Sequence, residues 1–144
     1  MTTKETYTYV LENAMNLALA TESLAGHTPN VRTVNFLYFP EESENTVYIA
    51  TAKDDDKVKE IAANPHVSFT TTPLSVEDSS TVRVTGADTK MVNERRNELF
   101  VTMDKKYASF SVFDQKARDN MNVYAVTFNE AEVFGHGIHK ISFD

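Results

Sequence analysis

The chain has 144 residues, 41% of them hydrophobic, and carries 14 basic against 21 acidic side chains for a formal charge of −7. This length suits a single domain over 1–144 that buries roughly two-thirds of its unfolded surface, and the acidic balance argues against nucleic-acid binding, which needs a basic face. With no cysteine present, disulfides, zinc-thiolate centres and cysteine nucleophiles are excluded.

Thr3 to Met15 sets Tyr7, Val10, Leu11, Ala14 and Met15 at helical spacing and predicts a short amphipathic helix. Its acidic residues are unlike a signal peptide, and no apolar run reaches bilayer length, so a cytoplasmic protein without a membrane partner is expected. Asn16 to Leu24 reads as a strand, followed by a turn at Ala25–Asn30. Val31 to Phe39 is dense in β-branched and aromatic residues and predicts one strand. Glu41 to Asn45 is a polar hairpin loop and Thr46 to Ala52 the strand after it. Asp54 to Ala63 predicts a helix with an aspartate cap, ended by Pro65. Further strands are expected at His66–Thr72, Thr81–Thr85 and Asn122–Asn129, a helix at Asn93–Met103, and a last strand at Glu132–Phe143 kinked at Gly135 and Gly137. Several short strands with small helices between them favour an antiparallel barrel over a doubly wound parallel sheet.

The segment from Pro29 to Thr71 concentrates the chemistry. The guanidinium of Arg32 can meet a phosphate with two hydrogen bonds. The hydroxyl of Thr51 ends a strand, and Lys57 lies in the first turn of the helix that follows, where an anion is favoured. An arginine, a threonine and a lysine in one strand–hairpin–strand–helix unit are what a phosphate monoester requires.

This order and spacing resembles the flavin-binding split-barrel family of pyridoxamine 5′-phosphate oxidase and its short, general-stress-protein-like relatives. The resemblance extends to the N-terminal strand and more loosely to Gly86. It implies a mainly β (α+β) fold, a six-stranded antiparallel Greek-key split barrel with a few short helices. It also implies a homodimer with flavin mononucleotide (FMN) at the subunit interface. Arg32, Thr51 and Lys57 would grip the FMN phosphate, and riboflavin would bind much more weakly. The ring would lie against Thr33, Val34 and Asn35, with Ala50 beside Thr51. Thr81, from the second subunit, stands where the pyridoxamine phosphate oxidases carry a glutamine, and Arg83 reads as structural. Val31, Phe36, Tyr38 and Phe39 are expected to be only partly covered in an isolated barrel, leaving an apolar face for the second subunit.

The chain departs from the family in two places. Asp54-Asp55-Asp56 precedes Lys57, where the oxidases tend to place a small hydroxyl and a basic residue; the triplet reads as helix cap and solvated face. The C-terminus, FGHGIHKISFD, lacks the arginine–histidine segment that holds pyridoxal phosphate, so a true pyridoxamine 5′-phosphate oxidase is not expected. His136 and His139 have no carboxylate ligand beside them and predict no metal site. Glu41, Glu42 and Glu44 read as a solvated hairpin, and Glu94-Arg95-Arg96 as an exposed helix face. The expected function is an FMN-dependent flavoprotein, an oxidoreductase acting on a small molecule that the sequence does not name. The deazaflavin F420, or no cofactor, ranks lower, and no residue declares itself a catalytic acid or base. The competing reading is a non-catalytic dimer that binds or stores flavin or another small ligand.

Overall fold

The computed structural model describes residues 1–143, and all its strand pairings are antiparallel. Helix α1 (Thr3–Asn13) opens on a reciprocal cap, in which the Thr2 hydroxyl accepts from Glu5 N–H at 3.1 Å and Glu5 accepts from Thr2 N–H at 3.0 Å. It buries Tyr7, Val10 and Leu11. β1 (Asn16–Glu22) pairs along its whole length with β2 (Pro29–Asn35).

The single strand expected over Val31–Phe39 is broken at Phe36. Beyond the break, β3 (Leu37–Tyr38) leaves β1 and pairs with β4 (Thr46–Ala52) instead. One stretch of chain thus serves both ends of the sheet and curls it, leaving a seam between β2 and β4. The break has a long-range cause. Phe36 N–H donates to the Tyr107 hydroxyl at 3.0 Å, and the single proton of that hydroxyl is shared between the carbonyls of Met15 (2.6 Å) and Phe36 (3.1 Å).

Helix α2 (Asp56–Ala63) crosses to β5 (His66–Thr71), which continues through β6 (Thr81–Met91) to β7 (Met121–Thr127). The strand order is β2-β1-β5-β6-β7-β4-β3. Its six long strands are the expected barrel, and β4-β7-β6-β5 is a Greek-key order. Among the described residues the strand count is nine, because β3 and a hairpin of β8 (Glu130–Gly135) and β9 (Gly137–Ser142) are added. That hairpin replaces the single kinked strand expected over Glu132–Phe143. It turns at Gly137, where φ is +88°.

β6 also runs past Gly86, where a strand end was expected. Gly86 sits at φ +71° in a bulge where the β5–β6 register slips, its N–H donating to Ser68 Oγ at 3.1 Å. A Cβ there would meet nothing within 4 Å, so the cost of a side chain is conformational alone. Gly86→Ala is expected to cost about 1 kcal/mol, a fall of roughly 2–4 °C in melting temperature. A thermal melt followed by circular dichroism reads it, and an unchanged midpoint would count against the left-handed bulge.

Two apolar clusters result. One fills the barrel with Leu17, Leu19, Ile49, Val82, Val84 and Val126. The other lies outside it, where Leu99, Phe100 and Met103 of α3 (Arg96–Lys106) pack with Phe110 on Tyr48 and Val123. Arg95 is not on an exposed helix face: it donates to the Tyr48 hydroxyl at 2.7 Å, lies over that ring and pairs with Glu42 and Glu98, pinning α3 to β4. Glu42 is correspondingly not free in its hairpin. A 3-10 turn at Ala108–Val112 and helix α4 (Gln115–Asp119) were not foreseen from the sequence. Of the four apolar residues expected to be partly covered, Val31 is 69% exposed and Tyr38 and Phe39 are half-buried, but Phe36 lies wholly inside the core. No helix among the described residues is long and apolar enough to cross a membrane.

Candidate functional site

Beside the seam, an open groove of about 320 Å³ is bounded by Thr33, Val34 and Asn35 of β2, Ala50 and Thr51 of β4, and Lys57 of α2. Six of the eight residues singled out by the resemblance are therefore brought together. Ala52 and Asp55 complete the polar end, and the opposite wall is apolar: Met103, Phe110, Phe113 and Met121. Phe110 lies against Phe100 and Phe113, with centroids at 5.0 and 5.4 Å. Arg118 fixes this wall by stacking on Phe110, donating to the Phe110 and Phe113 carbonyls, and binding Asp104 through two hydrogen bonds of 2.7 and 2.8 Å. Sequence reasoning missed Phe110, Phe113 and Met121 as site residues. The available signal was the Phe–x–x–Phe spacing in a segment that fits neither helix nor strand.

At the polar end, Lys57 and Thr51 are buried, and the Lys57 ammonium donates to Thr51 Oγ1 at 2.6 Å. Asp55 caps α2, accepting from Lys57 N–H at 2.9 Å, and its carboxylate lies 3.2 Å from the Lys57 ammonium. Burial opposes ionisation of Asp55, but the Lys57 N–H, the Lys57 ammonium and the nearby Arg32 guanidinium outweigh it and hold the carboxyl below its usual range. The triplet is thus divided: Asp55 is the cap and faces Lys57, and Asp56 begins the helix.

Arg32 does not line the groove. It donates to Thr21 Oγ1 at 2.6 Å and to Glu60 Oε1 at 3.1 Å. Glu60, on α2, is 4% exposed and also accepts from Thr21 at 2.7 Å and from the Asn30 amide. The Thr21 hydroxyl, aided by Asn30 and Arg32, holds the Glu60 carboxyl low against the opposing effect of burial. Thr81 opens β6 opposite Phe134, away from the groove of its own chain. Arg83, two residues on, stacks on the Phe134 ring. His136 and His139 border the β8–β9 turn, and His139 Nε2 contacts the His136 carbonyl. No group of three or more His, Asp or Glu able to hold a metal occurs among the described residues.

A family model described as pyridoxamine 5′-phosphate oxidase-like matches residues 10–138, nearly the whole chain. The chain belongs to the pyridoxamine 5′-phosphate oxidase-like family. None of the curated proteins matches it. Among solved structures it is similar to General Stress Protein 26 from Bacillus anthracis str. Sterne, at 15% identity, 99% and 100% coverage of the two chains and a TM-score of 0.73. It also resembles an F420 reductase at 16% identity, with coverage of 87% of this chain and 94% of that one and a TM-score of 0.66. A heme binding protein from Mycobacterium smegmatis gives a TM-score of 0.76 at 14% identity, covering 99% of this chain but only 58% of the other. Identities this low establish the shared split barrel and leave the ligand to be argued from the groove of this family member.

Proposed function

We propose that this pyridoxamine 5′-phosphate oxidase-like protein is a homodimeric FMN-binding flavoprotein acting as an oxidoreductase on a small molecule. The observation that carries the reading is the polarity of the groove. A buried ammonium hydrogen-bonded to a threonine at a helix N-terminus lies at one end, and methionine and aromatic side chains line the other. This suits a ligand with an apolar ring and an anionic tail. The Lys57 ammonium would take the tail, with Arg32 beside it. Main-chain groups and the Asn35 amide, which both donates and accepts, would meet the polar edge of the ring along β2. When bound, the flavin supplies the redox chemistry, and the protein positions it and excludes water. The groove is open, and apolar side chains stand near it: Val31 at 69%, Val112 at 77% and Phe113 at 39% exposure. A twofold partner would cover them and bring its Thr81 towards the ring.

A second reading, a dimer that binds or stores flavin without turnover, draws on one specific feature. Among the described residues the titratable groups on the groove are Asp55 and Lys57, already paired with each other, so none of these residues stands free there as an acid or base. F420 and haem rank below FMN. A longer acidic tail meets the acidic 54–56 segment, and no histidine is among the described residues that line the groove.

FMN is expected to co-purify or bind with quenching of its fluorescence, to a dimer by light scattering. Lys57→Met is expected to weaken FMN roughly fivefold and leave riboflavin nearly unchanged, since the ammonium faces only the phosphate. Bleaching of the bound flavin by a nicotinamide donor supports the enzyme; a stable oxidised spectrum supports the storage dimer. A monomer that binds neither flavin would overturn both.

A further inference from the structure

Lys57 at the polar end of the groove, and Arg32 just outside its lining, each arrive with a carboxylate already in place. Lys57 holds Asp55 at 3.2 Å, and Arg32 holds Glu60 at 3.1 Å. The two pairs differ in what it takes to part them. The Asp55 side chain is 42% exposed and can turn to water. Glu60 is sequestered, held by Thr21 of β1 and by Asn30 and Arg32 of β2. Withdrawing the guanidinium from Glu60 leaves a buried carboxylate with no cation, which is strongly unfavourable. Arg32 is one-quarter exposed, and the Glu60 it holds stands three residues from Lys57 on α2, so the guanidinium lies about one helical turn from the ammonium of the groove. The guanidinium is therefore close enough to serve an incoming anion and already engaged by an internal one.

We propose that Glu60 is a built-in competitor for the phosphate of the groove's ligand, and so sets how strongly the site prefers a phosphorylated ligand over its unphosphorylated form. The proposal rests on the flavin reading for the identity of the ligand, but not for the competition itself. Two cations balanced by two carboxylates present no net charge to a phosphate dianion. Binding then proceeds by exchange, in which Arg32 passes from carboxylate to phosphate, and part of the phosphate's affinity is spent on the displaced Glu60. Removing the carboxylate's charge while keeping its shape releases Arg32 to the ligand. Glu60→Gln does this, retaining an oxygen for Thr21 and Arg32.

The test is calorimetric titration of inorganic phosphate, FMN and riboflavin into wild type and Glu60→Gln. Wild type is expected to prefer FMN over riboflavin by no more than about tenfold. Glu60→Gln is expected to bind phosphate and FMN about ten- to a hundredfold more tightly, the range of one charge-assisted hydrogen bond, with riboflavin unchanged. The proposal is overturned if the variant takes phosphate no more tightly than wild type, or if riboflavin gains as much as FMN. The two readings fail separately. Tighter phosphate with no flavin bound by either protein keeps the competition and removes the flavin; tight FMN with an unchanged FMN-to-riboflavin ratio removes the competition and keeps the flavin. Should far-UV circular dichroism show the variant unfolded, the wild-type ratio decides alone: a preference for FMN above about tenfold overturns the proposal, because a site with an engaged Arg32 does not discriminate that far, and a smaller one supports it.

Discussion

Arg32→Ala is expected to destabilise the fold by about 2–4 kcal/mol, and Glu60→Gln in the same chain to recover most of the loss. Removing one partner of a buried ion pair typically costs about 3–5 kcal/mol, because the other charge is left without compensation. The lower range applies here because Arg32 is one-quarter exposed and water can replace part of it. For a chain of this size the loss corresponds to a fall of roughly 5–15 °C in melting temperature. The pH dependence gives an independent signature. Glu60 is held below its usual range in the folded protein, so the stability it contributes is present above its unfolded pKa and is lost as pH falls through the folded value. In Arg32→Ala the same carboxyl lacks its cation and is relieved by protonation, so the gap between wild type and variant should narrow in acid. Urea unfolding at pH 7 and pH 4 measures both effects. If the gap stays constant, or if the double variant is as unstable as Arg32→Ala, Glu60 is not the charge left stranded. An Arg32→Ala variant that loses its ligand therefore says little about phosphate contact until its folding has been measured.

Wild type is also expected to gain about 1 kcal/mol of stability between pH 7.5 and 9.5 that Lys106→Met does not gain. Lys106 reaches from the end of α3 to the Phe36 carbonyl at 2.9 Å and lies over the faces of Phe36 and Tyr107, with no carboxylate of the described residues within salt-bridge distance. Burial alone pushes its ammonium down from 10.5 to about 8. The direction follows from proton counting: between those values the unfolded chain binds the proton and the folded one releases it, so stability rises with pH. The full shift would give more; the figure here allows for water reaching the edge of the site. The window closes below pH 10, because burial also pushes the phenols of Tyr7, Tyr38 and Tyr107 upwards, and ionisation of the unfolded tyrosines favours unfolding above that point. Parallel urea midpoints for the two proteins across this range decide it, and identical slopes would mean that Lys106 is solvated.

What the sequence made legible, and what it did not, divides by the range of the interactions. Thr46–Ala52 and the α2 segment were readable because alternation, an aspartate cap and Asn64-Pro65 are local signals. The clustering of Thr33–Asn35, Ala50, Thr51 and Lys57 followed from the family's spacing. The break at Phe36 was not readable, because its cause is a tyrosine 71 residues away. The Arg32–Glu60 pair was hidden for a related reason. From its position alone, Glu60 is an unremarkable acidic residue on a helix, and only the crossing of α2 against β1 and β2 buries it beside Arg32. The apolar wall escaped notice because Phe110 lies in a 3-10 turn and Phe113 is the extended residue that ends it, a spacing that matches neither a helix nor a strand.

The Tyr107 hydroxyl ties together Met15, Phe36 and its own segment across sequence separations of 92 and 71 residues. A ribosome makes the chain in order, so β1, β2, β4 and β5 emerge well before the residue that fixes where β2 ends and β3 begins. Until Tyr107 appears, only the two-residue pairing of β3 with β4 draws the chain out of the ladder beyond Phe36, and a straight strand over 31–39 competes with it. The growing chain therefore carries a longer, flatter edge than the finished protein, and pairing with neighbouring chains is the hazard of such an edge. Closure of the curled sheet is a late event that waits on the last third of the sequence. Truncations ending before Tyr107 should accordingly be prone to aggregation, although they contain most of the barrel.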